Sequence, residues 1–418
     1  MEMNETKTLG NKSDTMIENG VSLGEIKSFV EEILSKKLQV KIRQVAIKVY
    51  KPRDIPDYKL IVLDYNKPSR WYFEQRVSRG LWISVYKDEY RIYPSFTKFF
   101  NLGEIDGWKI EDLNEYKLRE VTIKHDGTLI IAFYDELINR WVFCTRRCPH
   151  FFNPFLYKVS SFDKVINVHI AHTLELEPRL KQLPEELKDY VLLFESVDKD
   201  FRLGKATFGS KMAKHFEREN RVYFITARRL SDFKLLPYSE SSWISKLLGI
   251  KQVEFVKVED LGELTLRNEK IEGYVAWLEK ESEVKLVKVK TRQYIGTLMG
   301  YYGLISAVVY NKVDDILPML SAEQKKYVRE VQYYVQRLSE LYPKYIEYLK
   351  RNNATKYAGS KKFYSYLKGR GLVVVLPQIF SKVLCNKMSL EDAIISTLLM
   401  FKKDLKKCDR LIKKLESL

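Results

Sequence analysis

The chain has 418 residues, enough for two or three domains with a sizeable core. Its 72 Lys and Arg residues outnumber its 55 Asp and Glu residues, so the formal net charge is +17. This excess favours a polyanionic partner, such as nucleic acid, an anionic membrane surface or nucleotide phosphates. Four cysteines exclude a disulfide framework, and we find no secretory signal or membrane-length apolar run, so a reducing, cytoplasmic setting is expected.

The N-terminal part is predicted to begin with a polar, disordered tail over residues 1–20. Ser22 and Glu25 then form a capping-box pattern, which predicts the start of a helix. Short alternating apolar runs from Val40 to Leu63 predict strands.

Two cations in the next segment are candidates for binding phosphate. RVSRGLWI, over residues 76–83, and the residues after it predict two strands joined by a turn at 87–88. Arg79 precedes a glycine, which lets the backbone approach a ligand closely. Lys98 lies among three phenylalanines. A basic surface over an aromatic core would give the same pattern, so both interpretations stay open here.

The stretch VTIKHDGT, Val121–Thr128, places a lysine directly before a turn signal. Asp126 and Gly127 between two apolar runs predict a tight hairpin turn between two strands. Lys124 would then lie at the end of a strand, on a rigid edge. A single lysine beside such a turn is usually a solvated surface group, so its interpretation depends on the rest of the chain.

The segment WVFCTRRCPHFFN, residues 141–153, contains residues of the types that bind zinc, namely Cys144, Cys148 and His150. Their spacing lacks a second ligand pair and is not a standard zinc pattern. A phosphate contact by the two adjacent arginines, Arg146 and Arg147, at the end of a predicted strand suits this segment better. A further histidine pair, His169 and His172, lacks a third ligand and is predicted to be structural.

Four later runs predict strands, and three of them carry a charged candidate residue in the strand or just before it. YVLLFESV contains Glu195 near its end, and a carboxylate there is costly unless it meets a metal, a cation or a hydroxyl. VYFITAR, which contains Phe224, is another buried strand, and Glu272 precedes the strand GYVAW. In VKLVKVKTRQY, a period of two places Lys288 and Lys290 on one face. The pair can hold a phosphate, although lysines that protect an edge strand give the same pattern.

Beyond Tyr294 the pattern becomes helical. Capping boxes open the runs Ser321–Asn352 and Ser389–Leu418. We therefore expect a disordered tail over 1–20, a catalytic domain over 21–300 and a helical C-terminal domain over 301–418. KYAGSKKFYSYLKGRG, Lys356–Gly371, mixes basic and aromatic residues, a composition that suits a phosphate backbone and unstacked bases, or a solvated loop.

Taken in order, these motifs resemble those of the ATP-dependent covalent nucleotidyltransferases, and within them the bacteriophage-type RNA ligase 1 family. KHDG at Lys124 resembles motif I, FES at Glu195 motif III, and VYFITAR motif IIIa. EGYV at Glu272 resembles motif IV, and VKVKT at Lys288 and Lys290 motif V. RGLWI at Arg79 and KFFNLGE at Lys98 are similar to RNA ligase 1 rather than to DNA ligases or capping enzymes.

The sequence departs from the family pattern in two places. The family's Glu-x-Arg-Gly is Val77-Ser78-Arg79-Gly80 here and lacks the glutamate. The glycine that follows a Ser/Thr-Arg/Lys pair is replaced by Arg147, after Thr145 and Arg146.

The resemblance implies a reaction in three steps. Lys124 attacks the α-phosphorus of ATP to form a lysyl–AMP, AMP passes to the 5′-phosphate of RNA, and a 3′-hydroxyl then displaces AMP. Lys288 and Lys290 would stabilise the charge on the phosphate oxygens. Neighbouring cations and partial burial would favour the neutral Lys124 amine that the attack requires.

The resemblance also implies which residues bind the nucleotide and a metal. Glu272 would bind Mg²⁺ (or Mn²⁺), and Glu195 would bind the ribose hydroxyl or the metal. Phosphates would be bound by Arg79, Lys98 and Arg146. The adenine would lie against the strand around Phe224.

The expected fold is α+β, with a nucleotidyltransferase (ATP-grasp-like ligase) core of antiparallel sheets and helices and an all-helical C-terminal domain. The expected function is an ATP-dependent RNA ligase that joins 5′-phosphate and 3′-hydroxyl ends of single-stranded or nicked RNA, in repair or circularisation. The alternatives are a DNA-end adenylating or DNA-joining ligase and a non-catalytic RNA-binding protein on a ligase scaffold. A module that binds a membrane surface or a protein through its C-terminal helices is a third class.

Overall fold

A computed structural model gives the fold of this chain. It describes residues 17–36, 45–65, 71–150, 161–198, 219–267, 269–291, 293–295, 300–310, 313, 316–317, 320–360, 362–370, 376–385 and 388–417, without the side chains of 161–166 and 302. Residues 1–16 of the tail predicted over 1–20, and residues 40–44 of the strand region predicted from Val40, lie outside the described residues.

The strands of the described residues are β1 (Ile17–Glu18), β2 (Val45–Tyr50), β3 (Tyr58–Tyr65), β4 (Leu81–Tyr86), β5 (Glu89–Tyr93), β6 (Phe100–Asn101), β7 (Lys117–Lys124), β8 (Thr128–Asp135), β9 (Arg140–Cys144), β10 (Pro149–His150), β11 (Tyr190–Val197), β12 (Arg221–Arg229), β13 (Gly273–Lys280) and β14 (Glu283–Lys290). The helices are α1 (Leu23–Ser35), α2 (Phe73–Val77), α3 (Ile110–Leu113), α4 (Ser161–Leu176), α5 (Tyr238–Leu248), α6 (Leu261–Leu266), α7 (Tyr301–Val309), α8 (Ala322–Arg351), α9 (Phe363–Gly369), α10 (Pro377–Leu384), α11 (Leu390–Met400) and α12 (Cys408–Glu416). The predicted α+β class, with antiparallel sheets and a helical C-terminal region, is confirmed.

Three sheets share one buried core. Sheet I contains β1, β6, β7, β13 and β14, sheet II runs in the order β10-β9-β8-β11-β12, and sheet III in the order β2-β3-β4-β5. Trp277 of sheet I, Phe133 of sheet II and Trp82 of sheet III belong to the same apolar cluster. Helices cover the other faces, since Phe29 of α1 packs with sheet III and Ile244 of α5 packs with sheet II.

The connection that follows Lys124 joins two different sheets. The structure has a short link over residues 125–127, as predicted, but β7 pairs with β13 in sheet I whereas β8 pairs with β9 and β11 in sheet II. The predicted hairpin is therefore wrong, because neighbours far away in sequence supply the partners of both strands. Lys124 consequently lies where the chain passes from one sheet to the next.

A second segment, residues 251–256, links the same two sheets. The amide of Phe224 in sheet II donates to Lys251 O at 2.9 Å, and Val253 N donates to Phe224 O at 2.9 Å. On the sheet I side, Ile123 N donates to Glu254 O at 2.9 Å. The two sheets are therefore fastened together next to Lys124.

Residues 17–20 differ from the predicted disordered tail. They form β1, which pairs with β14, and the turn after it. Glu18 is buried, accepts a hydrogen bond from Thr97 N at 3.2 Å and forms an ion pair with Arg228 of β12. This ion pair compensates for the burial of the Glu18 charge and ties the N-terminal segment to sheet II.

The helical region has its own core. Apolar side chains from α7 to α12 form one cluster, which also includes Tyr294. The predicted capping box of Ser321 and Gln324 is present at the start of α8, while the run after Ser389 is divided into α11 and α12. The domain boundary at 300 stays a prediction. No helix among the described residues is long and apolar enough to cross a membrane.

Candidate active site

The register of sheet I brings together three of the predicted residues. In the central strand β13, Gly273 lies opposite Lys124 of β7 on one side and Lys290 of β14 on the other. A Cβ atom on Gly273 would lie 2.3 Å from Val289 O, so only glycine fits this close approach. Glu272 immediately precedes this row and points its carboxylate at both lysines.

The Glu272 carboxylate bridges the two lysines. Lys124 Nζ donates to Glu272 Oε2 at 2.7 Å, and Lys290 Nζ donates to Oε1 of the same group. Glu272 and Lys290 are almost fully buried, whereas the Lys124 side chain is 24% exposed. The sequence predicted cations and partial burial around Lys124, and the structure adds a carboxylate that holds its Nζ atom.

The two lysines of β14 share one face, as the period of two predicts. Lys288 Nζ lies 5.0 Å from the Phe99 ring centroid, and Lys290 Nζ lies 4.8 Å from that of Tyr294. Val287 and Val289 face the opposite side and pack in an apolar cluster. The protected-edge interpretation does not apply, since β14 is paired on both sides, with β13 and with β1 and β6.

A cavity of about 410 Å³ lies between sheets I and II. Seven of the nine predicted site residues line it, namely Arg79, Lys124, Arg146, Glu195, Glu272, Lys288 and Lys290. Arg147 adds a sixth Lys or Arg side chain, against two carboxylates. One wall is apolar and includes Ile225, Val253 and Trp277. The cavity thus combines positive charge with an apolar wall.

Glu195 projects from β11 towards the link after Lys124. A Cβ atom on Gly127 would lie 3.0 Å from Glu195 Oε1 and 2.5 Å from Ser196 O, so the link is pressed against this strand. Burial raises the pKa of Glu195 to about 7, the Lys124 charge opposes this rise, and Glu272 and Asp126 add to it. Glu195 therefore titrates near neutrality in the structure.

Three arginines surround another part of the cavity. Burial and the neighbouring Arg146 charge lower the pKa of Arg79, and its Nη1 atom is buried without a hydrogen-bond partner in the structure. Arg146 Nε donates to the buried carboxylate of Asp64 at 3.2 Å, and Arg147 forms an ion pair with the same oxygen. One carboxylate thus offsets two of the three arginines, which leaves an excess of positive charge in this part of the cavity.

Two predicted residues do not line the cavity. Lys98 is 1% exposed, lies 3.7 Å from Glu104 Oε1 and sits over the rings of Trp71 and Phe100. Phe224 is fully buried on the other face of sheet II, where it packs edge-to-face with Phe194. The next residue in β12, Ile225, faces the cavity instead.

The comparison with known protein families fits this arrangement. A model of the RNA ligase family, of the T4 RNA ligase 1 type, matches residues 77–295, just over half of the chain. The chain belongs to the RNA ligase family. The matched range contains every residue that lines the cavity except Tyr65.

Solved structures of other ligases align with this RNA ligase family member at low identity. An archaeal ATP-dependent RNA ligase aligns at 14% identity over 76% of this chain and 79% of its own, with a TM-score of 0.43. A candidate ATP-dependent DNA ligase from Aquifex aeolicus aligns at 15% identity over 76% and 80%, with a TM-score of 0.42. A Naegleria gruberi RNA ligase variant with ATP and Mn aligns at 16% identity over 48% and 57%, with a TM-score of 0.32. No curated protein matches the chain.

Sequence reasoning missed the role of His125 and the partner of Arg147 in this RNA ligase family member. His125 stacks on Tyr223 with ring centroids 3.9 Å apart, and its Nε2 lies 2.8 Å from Glu254 Oε2. The contact between His125 and Glu254 therefore ties the link that follows Lys124 to the segment over 251–256. The partner that was missed is Asp64, which forms an ion pair with Arg147 and lies far away from it in sequence. The position of His125 beside the nucleophile candidate was the available signal for the first.

The remaining histidines and cysteines of this RNA ligase family member lie elsewhere. His172 Nδ1 lies 2.8 Å from Asp198 Oδ2, and burial lowers the pKa of His150 and His169 to about 4. Cys144 and Cys148 are buried, and the described residues contain no group of three or more His, Cys, Asp or Glu that could hold a metal ion.

Proposed function

We propose that the chain is an ATP-dependent RNA ligase that joins 5′-phosphate and 3′-hydroxyl RNA ends through a lysyl–AMP and an RNA-adenylate. The observation that carries the proposal is the Glu272 carboxylate bridging Lys124 and Lys290 within a cationic cavity. Such a set is unnecessary for a protein that only binds RNA, because binding requires no buried and oriented amine.

The cavity suits a nucleoside triphosphate. Its volume of about 410 Å³ lies within the roughly 300–1,000 Å³ of ligand pockets. The apolar wall with Ile225, Val253 and Trp277 suits a purine, and the six cations suit the phosphates. We propose that Arg79 and Arg146 bind the β- and γ-phosphates, and that Ile225 takes the place expected for Phe224 beside the base.

Lys124 supplies the nucleophile of the first step. Its Nζ, on a side chain that is 24% exposed, releases a proton to solvent and forms a bond to the α-phosphorus of ATP. The bond from that phosphorus to the bridging oxygen breaks, and pyrophosphate leaves with the electron pair. Glu272 orients Nζ, and Lys288 and Lys290 stabilise the charge on the α-phosphate oxygens. The 5′-phosphate of RNA then takes AMP from Lys124, and a 3′-hydroxyl displaces AMP from the activated end.

The carboxylates of the cavity fit a hard divalent cation. Glu195 and Glu272 both line the cavity, and they interact strongly enough for Glu272 to raise the pKa of Glu195. Because Mg²⁺ is commonly held by one or two carboxylates together with substrate phosphates, two carboxylates without a larger cluster suffice. When bound, Mg²⁺ or Mn²⁺ would neutralise part of the phosphate charge.

Labelled ATP tests the proposal directly. We expect the full chain, incubated with α-labelled ATP and Mg²⁺, to retain the label covalently and then transfer it to 5′-phosphorylated single-stranded RNA, yielding a joined product. Matched strands with a deoxyribose at either end measure the RNA preference at each position. Absence of any adenylate on the protein by mass spectrometry would contradict the proposal.

A further inference from the structure

The positive charge of the helical region is concentrated in one stretch. Between Glu347 and Glu391 the sequence has nine Lys and Arg residues and no Asp or Glu. This stretch carries about half of the formal +17 charge of the whole chain. Elsewhere in the helical region, as along α8, acidic residues alternate with basic ones and form ion pairs such as Arg337–Glu340.

The structure leaves these cations on the surface. Lys356, Lys362, Lys368 and Arg370 are all exposed. Over the described residues, no carboxylate forms an ion pair with any of them. A cluster of exposed like charges without partners repels itself and is therefore stabilised by a polyanion.

Exposed aromatic rings lie among these cations. Tyr364 of α9 is 51% exposed and Tyr357, just before it, is 36% exposed. Tyr357 stacks on Tyr366 with ring centroids 4.0 Å apart and an interplanar angle of 23°. The Tyr366 hydroxyl donates to Asn352 O at 2.9 Å, and the Arg370 guanidinium lies 5.9 Å from the Tyr366 ring.

This surface is held rigidly. Phe363 and Leu367, on the opposite side of α9, are buried in the core of the helical region. The hydrogen bond of Tyr366 fixes α9 to the end of α8. The backbone that presents the exposed rings is therefore already ordered before a ligand stacks on them, which reduces the entropic cost of binding.

We infer that the surface formed by Lys356, Tyr357, Tyr364, Lys368 and Arg370, called here the Tyr364 face, binds single-stranded RNA. Aromatic rings stack on unpaired bases, and exposed cations follow the phosphate backbone, without a requirement for sequence. The inference rests on the proposed function for the identity of the nucleic acid. It gives the helical region the task of holding the RNA strand while the cavity carries out the chemistry.

The composition of the Tyr364 face favours RNA over an anionic membrane. Membrane-surface helices bury large aliphatic side chains or Trp and Phe beside their cations. In the described part of the stretch between Glu347 and Glu391, the only exposed large hydrophobic residues are Tyr357 and Tyr364. Tyrosine on a polar helix surface matches base stacking better than insertion among acyl chains.

Binding of 5′-phosphorylated single-stranded RNA to the full chain, measured by fluorescence anisotropy over a series of salt concentrations, tests the inference. Tyr364→Ala should weaken binding about tenfold, and Tyr364→Phe should restore most of it. The variant Lys368→Gln/Arg370→Gln should lower the slope of log affinity against log salt by roughly 0.7 for each RNA phosphate that the protein no longer neutralises.

Matched controls come from α8. Tyr333 is 55% exposed, and Lys326 and Arg329 are exposed on the same helix. Tyr333→Ala and Lys326→Gln/Arg329→Gln remove an equal ring and equal charge outside the Tyr364 face, and they should leave affinity and slope close to wild type. Equal losses in the two sets of variants would overturn the inference.

Two further measurements separate this inference from the proposed function. Self-adenylation with labelled ATP, which needs no RNA, should be unchanged in the Tyr364-face variants. A wild-type chain that binds RNA through this face yet never forms an adenylate would refute the proposed function and leave the binding surface standing. Loss of binding to phosphatidylserine vesicles with full retention of RNA binding in these variants would identify a membrane surface and overturn the inference.

Discussion

The cavity between sheets I and II and the Tyr364 face both carry positive charge, but the charge includes buried, paired side chains in the cavity and is exposed on the Tyr364 face. Lys290 of the cavity is buried, is paired with Glu272 and has its place fixed by the register of three strands. Lys368 and Arg370 of the Tyr364 face are exposed. Strand pairing between distant segments sets the first arrangement, and local composition sets the second.

This difference in the exposure of the charges indicates which task each region can perform. Charges that are fixed and shielded from water act strongly on a developing charge, as a chemical step requires. Exposed charges are screened within about 8 Å at physiological ionic strength, so they attract a polyanion without fixing its position. We therefore expect salt to weaken RNA binding far more than it slows self-adenylation.

Removal of the proposed nucleophile should separate the cavity from the Tyr364 face most completely. Lys124→Ala should abolish transfer of label from α-labelled ATP to the protein, because it removes the amine that is proposed to carry the adenylate. Lys124→Arg is the matched control, since it keeps a cation beside Glu272 yet cannot form the adduct. RNA affinity should stay near wild type in both variants. Labelling that persists in either one would remove Lys124 from its role.

Loss of one fixed cation should have the next largest effect. Lys290→Ala should slow single-turnover adenylation by roughly 10²-fold, the scale for the loss of one preorganised charge. The same should hold for Lys288→Ala. Lys117→Ala serves as the control, because Lys117 is exposed at the other end of the strand that carries Lys124. Wild-type adenylation rates in the Lys288 and Lys290 variants would show that these two charges do not contribute to the rate of adenylation.

Glu195 gives the stability of the chain a pH dependence that originates in the cavity. Burial raises its pKa from 4.5 to about 7, so between these values the unfolded chain ionises while the folded chain stays protonated. The wild type therefore loses stability as pH rises through this window, and the loss is complete above pH 7. Glu195→Gln should gain stability relative to wild type over the same window and then level off. Denaturant unfolding from pH 4.5 to 8 measures this, and a flat difference would contradict it.

The smallest expected effect concerns the helical region alone. Ser321→Ala should lower the free energy of unfolding by about 1 kcal/mol, because it removes the side chain that caps α8. Self-adenylation should not change. Ser417→Ala, near the end of the last helix, is a control with an exposed serine. A loss of adenylation in Ser321→Ala would show that the cavity depends on the stability of α8.

Local patterns predicted much of the site. The shared face of Lys288 and Lys290 follows from the period of a strand, and the start of α8 follows from its capping box. These features depend on neighbours within a few residues, so the local sequence is sufficient to predict them. The position of Lys124 at the end of a strand is of the same kind.

Other features depend on which distant segments meet. The turn after Lys124 was recognisable, but the sheet that each flanking strand joins is decided by β13 and by β9 and β11. In β12, alternation indicates that Phe224 and Ile225 face opposite ways without telling which one faces the cavity. The ion pair of Arg147 with Asp64 spans 83 positions, beyond the reach of any local pattern.

The absent side chain of Gly273 has a consequence for redesign of this enzyme candidate. Adding a methyl group there would push Val289 away, widening the gap between the central strand and the one that bears Lys290. Lys124 and Lys290 would then no longer share the Glu272 carboxylate. Mutant libraries aimed at a new nucleotide should therefore vary the apolar wall and leave this one position untouched.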